Sequence, residues 1–102
     1  MRYPALEIGW PEREACPDQY DEPSTLLCPG ASRLILQVLT NAAYIQCGVM
    51  PRGKGAGLGS VQWQNEEPYV AGAAASLSRQ FDAVRVRNWK AGSEAQVFVS
   101  VQ

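Results

Sequence analysis

The chain contains no histidine, a low fraction of charged residues and no long apolar run. Histidine is the commonest general base, a frequent metal ligand and the side chain whose ordinary pKa lies near neutral pH. Its absence points away from hydrolases, cupin-type metal enzymes and zinc fingers. No apolar run approaches the ~20 residues that a membrane-spanning helix needs. We therefore expect a non-enzymatic binding or structural protein that uses no cofactor, binds no metal and has no membrane partner.

Cysteine is also scarce, and its three copies are Cys16, Cys28 and Cys47. Three thiolates without histidine leave a tetrahedral zinc site one ligand short. A disulfide between Cys16 and Cys28 is one alternative. The odd count, and an N-terminus without the pattern of an export signal, favour reduced thiols instead. Cys47 alternates in phase with Ile45 and Val49, which predicts a small core residue.

Charge and proline are distributed unevenly along the 102 residues, which are enough for one domain. Residues 1–30 hold six acidic and two basic residues, whereas residues 31–102 hold four acidic and seven basic ones. Five of the seven prolines also fall in residues 1–30, where they remove amide donors and disfavour helix. We predict an extended N-terminal arm over residues 1–30 and a folded domain over residues 31–102.

The predicted arm carries large apolar side chains, and burying each one contributes about 1.5–3 kcal/mol. An arm of this composition is expected to lie along a surface, either of its own domain or of a neighbouring molecule. An acidic arm and a basic domain favour contacts between copies or with a partner, because their potentials are complementary. The arm residues that we predict to bind a partner are Tyr3, Leu6, Trp10, Tyr20 and Leu26.

From Arg33 onward, apolar and polar residues alternate over short runs separated by turn signals, which is typical of half-buried strands. Trp63 falls on the same parity as Val61 and is expected in the core. The small residues at 71–78 are compatible with strand or loop, and residues 71–80 form the weakest helix candidate. The predicted fold class is all-β: a compact antiparallel β-sandwich of six or seven short strands, preceded by the extended proline-rich arm.

Residues 52–60 form a glycine-rich loop with the sequence RGKGAGLGS. The loop lacks the spacing of a P-loop, and a strand rather than a helix follows it, so it does not match a nucleotide-binding motif. A flexible hairpin tip is one interpretation. The other is a basic loop that orders against a partner through Arg52 and Lys54, since glycine allows close backbone approach.

Charged and aromatic residues also recur near the C-terminal half. Glu66 and Glu67 are adjacent, which is poor geometry for a cooperating acid and base, so they are either solvated or paired with Arg85 or Arg87. Arg85, Arg87 and Trp89 share one strand parity, which indicates a solvated sheet face, a protein contact or a nucleic-acid or glycan platform. The slightly acidic chain disfavours nucleic acid as a partner.

The layout of residues 42–102 resembles that of small β-sandwich virion proteins of tailed bacteriophages. The segments that carry the resemblance are AYIQ at 43–46, the glycine-rich hairpin, VQWQ at 61–64, FDAVRVRN at 81–88 and AQVFVSV at 95–101. Such proteins serve as capsid decoration, head-completion or tail-accessory subunits, in which a compact sandwich carries an arm across neighbouring subunits.

The resemblance implies a virion structural protein, assembled in the host cytoplasm, that docks on major capsid, portal, neck or tail subunits and forms a homo-oligomer. Residues expected to mediate docking are the arm residues together with Arg52, Lys54, Arg85, Arg87 and Trp89. The alternative function is a glycan- or receptor-binding module on the virion surface that uses Trp89, Tyr69 and the glycine-rich loop.

Overall fold

A computed structural model describes residues 5–8, 16–22, 24–51 and 58–102. Its elements are β1 (Ala5–Ile8), β2 (Thr25–Thr40), β3 (Ala43–Val49), a short 3₁₀ helix (Leu58–Ser60), β4 (Gln62–Trp63), β5 (Glu67–Tyr69), β6 (Ala74–Asn88) and β7 (Gln96–Val101). All strand pairs are antiparallel, and the order across the sheet is β1-β7-β2-β6-β3-β4, with β5 also pairing with β3. The predicted all-β, antiparallel class is confirmed.

The two long strands β2 and β6 each contribute to two layers of the sandwich. In layer A, residues 25–27 of β2 and 83–88 of β6 pair beside β3, β4 and β5. In layer B, residues 74–78 of β6 and 33–40 of β2 pair beside β7 and β1. The predicted strands were all short, but β2 has 16 residues and β6 has 15, because each passes from one layer into the other.

The passage of β2 between layers occurs at residues 29–31, where its register against β6 shifts. Gly30 has a φ of 76°, which a glycine adopts without strain, and Pro29 lacks an amide donor that a ladder would use. The carboxylate of Asp82 in β6 accepts hydrogen bonds from the amides of Gly30 (2.9 Å) and Met50 (2.8 Å). Asp82 therefore fixes the bend by binding both neighbouring strands.

One continuous core lies between the two layers, built from the apolar parity of each strand. Its largest buried side chains are Phe81, Leu34, Leu36, Val38, Val84, Val86, Val97, Val99 and Val101. Ala43, Ile45 and Cys47 complete it from β3, so the core position predicted for Cys47 is correct.

Residues 16–30 pack against the rest of the domain. Cys16 donates its amide to the carbonyl of Ala95, and Asn88 donates its amide to the carbonyl of Pro17. Cys16 and Cys28 are buried in the core cluster. The division that we predict at residue 30 falls inside β2, so the described residues from 16 to 30 form part of the sandwich.

Residues 71–80, the weakest helix candidate, contain a turn at Gly72 and then the start of β6. Their alanines and serines alternate between exposed and half-buried positions, as expected of a strand at the side of a layer. Small side chains give a weak periodic signal, and here the pairing with β2 decides the conformation.

Candidate docking surfaces

The outer surface of layer A is a cation–aromatic face formed by Tyr20, Tyr44, Trp63, Arg85 and Arg87. Arg85 and Arg87 point outward because Val84, Val86 and Asn88 take the inward parity of β6. The guanidinium carbon of Arg85 lies 3.8 Å from the Trp63 ring centroid and 4.1 Å from that of Tyr20. That of Arg87 lies 4.4 Å from the Tyr44 ring centroid. Cations at these distances are attracted by the negative face of an aromatic ring.

Glu66 links Tyr20 and Arg87 on this face. Its carboxylate accepts hydrogen bonds from Arg87 Nε and Nη2, both at 3.0 Å, and from the Tyr20 hydroxyl at 2.8 Å. The hydrogen bonds from Arg87 hold the pKa of Glu66 below its ordinary value, whereas burial, together with Glu66, raises the pKa of Tyr20. Of the two alternatives for Glu66, the structure shows the ion pair, and it forms within the chain.

Glu67 makes the corresponding ion pair on the side of the sandwich where β5 of layer A approaches β6 of layer B. Arg79 Nη1 lies 2.5 Å from Glu67 Oε2, and the Tyr69 hydroxyl donates to Glu67 Oε1 at 3.0 Å. These contacts hold the pKa of Glu67 below its ordinary value, while burial raises the pKa of Tyr69 to about 12. The ion pair links β6 to β5. Nearby in β6, Ala75 and Leu77 are only half-buried.

The core position expected for Trp63 is wrong. Trp63 is half-buried and lies on the cation–aromatic face, where it receives Arg85. Its side chain and that of Val61 pack over Gly48, at which an added Cβ would overlap Val61 Cγ1 and lie 2.9 Å from Trp63 Cε3. The missing side chain of Gly48 allows Trp63 to lie flat on the outer face, which strand parity alone does not reveal.

Trp89 and Leu26 occupy different environments. Trp89 is 39% exposed, its ring centroid lies 5.6 Å from that of Tyr44, and it lines a hollow of about 330 Å³ with Asn41, Ala42, Lys90 and Ser93. Leu26 packs partly buried against the core. The structure thus brings together Tyr20, Arg85 and Arg87 from the predicted partner-binding set, places Trp89 next to them through Tyr44, and directs Leu26 inward.

The remaining predicted partner-binding residues are not described in side-chain detail. Tyr3, Trp10, Arg52 and Lys54 lie outside the described residues. The backbone of Leu6 lies in β1 opposite Val99 of β7.

The outer surface of layer B, which we call the uncharged face, was not among the surfaces predicted from the sequence. Residues 34–40, 74–78 and 96–101, which make up this face, contain no charged residue. Charged residues border it at Arg33, which shares the outward parity of Ile35, and in β1, where Glu7 lies opposite Phe98 in the ladder. Phe98 is 36% exposed there and lies with Ile35, Gln37 and Ala74 around a hollow of about 470 Å³, and Leu39 is 47% exposed. The sequence does contain a signal for this face. Ile35, Leu39 and Phe98 are apolar, yet they lie at strand positions that alternate with the core residues and therefore point outward.

Cys16, Cys28 and Cys47 lie in the interior, and none of them is joined in a disulfide. Burial raises the pKa of Cys16 and of Cys28 to about 12, and it also raises the pKa of Cys47. A protonated, buried thiol is a poor nucleophile and behaves as a small apolar side chain. Of the two alternatives for Cys16 and Cys28, the structure shows the reduced pair.

Within the described ranges, no helix is long and apolar enough to span a membrane. The same residues contain no group of three or more cysteine, aspartate or glutamate side chains placed to hold a metal ion. No protein-family model, curated protein or solved structure matches the chain.

Proposed function

We propose that this chain is a non-enzymatic structural protein of a virion, which docks on a neighbouring capsid, neck or tail subunit through the uncharged face of layer B. The observation that carries the proposal is the contrast between the two outer faces. On layer A, Arg87 forms an ion pair with Glu66, and the guanidinium of Arg85 is covered by two aromatic rings. Layer B instead exposes Phe98 and Leu39 on segments of β7 and β2, residues 96–101 and 34–40, that carry no charge, with Arg33 and Glu7 at the border.

Such a surface suits a permanent protein contact. The centres of protein interfaces are depleted of charged residues, and buried aromatic side chains dominate their binding energy. Phe98 lies opposite Gln37 in the ladder between β7 and β2, near the middle of the face. It supplies the aromatic anchor, and Ile35 and Leu39 extend the apolar contact around it.

The N-terminal segment borders the same face. The backbone of β1 adds an outermost strand beside β7, so residues 5–8 lie next to Phe98 along the ladder. A segment in this position extends the docking surface beyond β7. This arrangement supports the expectation that the N-terminal residues and a sheet face act together.

Incorporation into particles tests the proposal. Particles are produced without this chain and supplied in trans with the wild type, Phe98→Lys or Gln64→Lys, the last as a control on the exposed surface of layer A. A buried unpaired charge costs several kcal/mol, so Phe98→Lys should reduce the amount found in purified particles by more than about tenfold. The control should be incorporated like the wild type. Equal incorporation of Phe98→Lys, with its fold verified by circular dichroism, would contradict the docking face.

A further inference from the structure

A second candidate site lies on layer A, on the side of the sandwich opposite to the proposed docking face. A hollow of about 220 Å³ is lined by Tyr20, Asp21, Glu22, Thr25, Trp63 and Arg85. It lies across the face of the sheet from β6, which contains Arg85, to the outermost strand β4, which contains Trp63, with β3 between them. A ligand on this surface meets the side chains that line the hollow.

Arg85 is held rigidly in this hollow. Its guanidinium lies between the rings of Tyr20 and Trp63, and its Nε donates to Gln46 Oε1 at 2.8 Å. Tyr20 is in turn fixed by its hydrogen bond to Glu66. Among the residues that the structure describes, none accepts a hydrogen bond from Arg85 Nη1 or Nη2. The guanidinium therefore presents two fixed donor groups to a ligand, an arrangement that lowers the entropy cost of binding.

The acidic residues of the hollow determine which ligand fits. Asp21 and Glu22 line it together with Arg85, yet neither forms an ion pair with Arg85 in the part of the chain that the structure describes. An anionic ligand would meet the two carboxylates, and a cationic ligand would meet the guanidinium. Hydroxyl groups both donate and accept, so adjacent hydroxyls satisfy both kinds of group at once.

We propose that this hollow binds a neutral saccharide, with two adjacent hydroxyls accepting from the Arg85 guanidinium and donating to the Asp21 and Glu22 carboxylates. The Arg85 guanidinium covers one face of the Tyr20 ring and one face of the Trp63 ring, so the apolar C–H groups of the sugar contact the remaining accessible parts of these half-buried rings. Trp89 and Tyr69, the residues that the sequence associates with glycan binding, do not line the hollow. The site does not depend on the virion function, although a protein docked through layer B would leave the hollow accessible.

The test displays the full chain in many copies on beads and measures its retention on immobilised saccharides. The panel contains neutral hexoses, deoxyhexoses and N-acetylhexosamines, with uronic acids and sugar phosphates as charged probes. We expect retention on at least one neutral saccharide. Arg85→Lys should weaken it at least about tenfold, since lysine lacks the two guanidinium donor groups that bind the hydroxyls. Arg33→Lys, at an exposed position of layer B, is the matched control and should bind like the wild type.

Glu22→Gln tests the same site without disturbing the stacked guanidinium, because the Glu22 side chain is exposed. We expect about threefold to tenfold weaker retention, roughly the effect of one weakened hydrogen bond. Absence of retention on every neutral saccharide would overturn the proposal. So would retention confined to the charged probes, or unchanged retention by folded Arg85→Lys. Should Arg85→Lys fail to fold, unchanged retention by Glu22→Gln would overturn the proposal in its place.

Discussion

Arg85 stacks on Trp63 across an intervening strand, with 3.8 Å between the guanidinium carbon and the ring centroid. The contact links β6 to β4, which are not hydrogen-bonded neighbours, and Tyr20 covers the guanidinium at 4.1 Å. One arginine thus holds the two-residue strand β4 and the segment at residues 16–22 on the same face.

Replacement of Arg85 by lysine should lower the stability of the domain. Lysine lacks the planar guanidinium that stacks between two rings and the Nε–H that bonds Gln46. We expect a loss of about 1–2 kcal/mol in the free energy of unfolding, measured by urea denaturation. Arg33→Lys, at an exposed position, should change it by less than about 0.5 kcal/mol. Equal effects of the two substitutions would show that the stacking contributes nothing.

Gly48→Ala should destabilise the same face for a different reason. The added methyl group would overlap Val61 and come within 2.9 Å of Trp63 Cε3, so both side chains must move. Overpacking of this kind costs about 1–3 kcal/mol. Gly59→Ala is the matched control, since nothing lies within 4 Å of its added Cβ. Thermal unfolding of both variants checks the prediction, and a Gly48→Ala midpoint at or above that of Gly59→Ala would contradict it.

Two truncations distinguish an attached arm from a part of the core. Removal of residues 1–30 deletes the first part of β2 and two buried cysteines, so we expect no cooperative unfolding transition from residues 31–102 alone. Removal of residues 1–15 leaves every residue of the described core in place and should preserve the transition. Near-ultraviolet circular dichroism during heating separates these outcomes. A native-like transition in residues 31–102 would show that residues 16–30 are dispensable for folding.

The ion pairs of Glu66 and Glu67 predict the acid sensitivity of the domain. The folded pKa of each lies below the ordinary value of 4.5, so their contribution to stability is present above pH 4.5 and is lost as the pH falls through the folded values. Glu67→Gln should lower the unfolding free energy at neutral pH by at most about 1 kcal/mol, since the pair is partly exposed. The substitution should also make the unfolding free energy decrease less steeply as the pH falls below 4.5. Urea denaturation across the acid range checks this, and an unchanged slope would rule out Glu67 as a contributor.

Strand parity predicted much of the fold because it is a local property. The inward positions of Leu34, Leu36, Val97 and Val99 follow from alternation, and so does the outward position of Arg85. The bends of β2 and β6 could not be predicted in this way. They depend on how Asp82 binds Gly30 and Met50, which are distant in sequence.

The candidate surfaces depend still more on contacts between distant residues. Tyr20 and Trp63 meet at Arg85 although all three lie in separate segments, and Trp63 faces outward because Gly48 leaves room for it. By contrast, strand alternation in the sequence is sufficient to predict the uncharged face. The alternation that places Val97 and Val99 in the core also places Phe98 on the outside. An exposed aromatic residue in an apolar patch is typical of an interaction site.

The most direct test of the proposed virion function is the protein composition of virus particles purified from cells that produce this chain. Quantitative mass spectrometry after a high-salt wash measures the number of copies of the chain relative to the major capsid protein. The proposal predicts a fixed ratio that survives the wash, because the apolar contact around Phe98 and Leu39 does not weaken as salt screens electrostatic attraction. Absence of the chain from washed particles that are otherwise intact would contradict it.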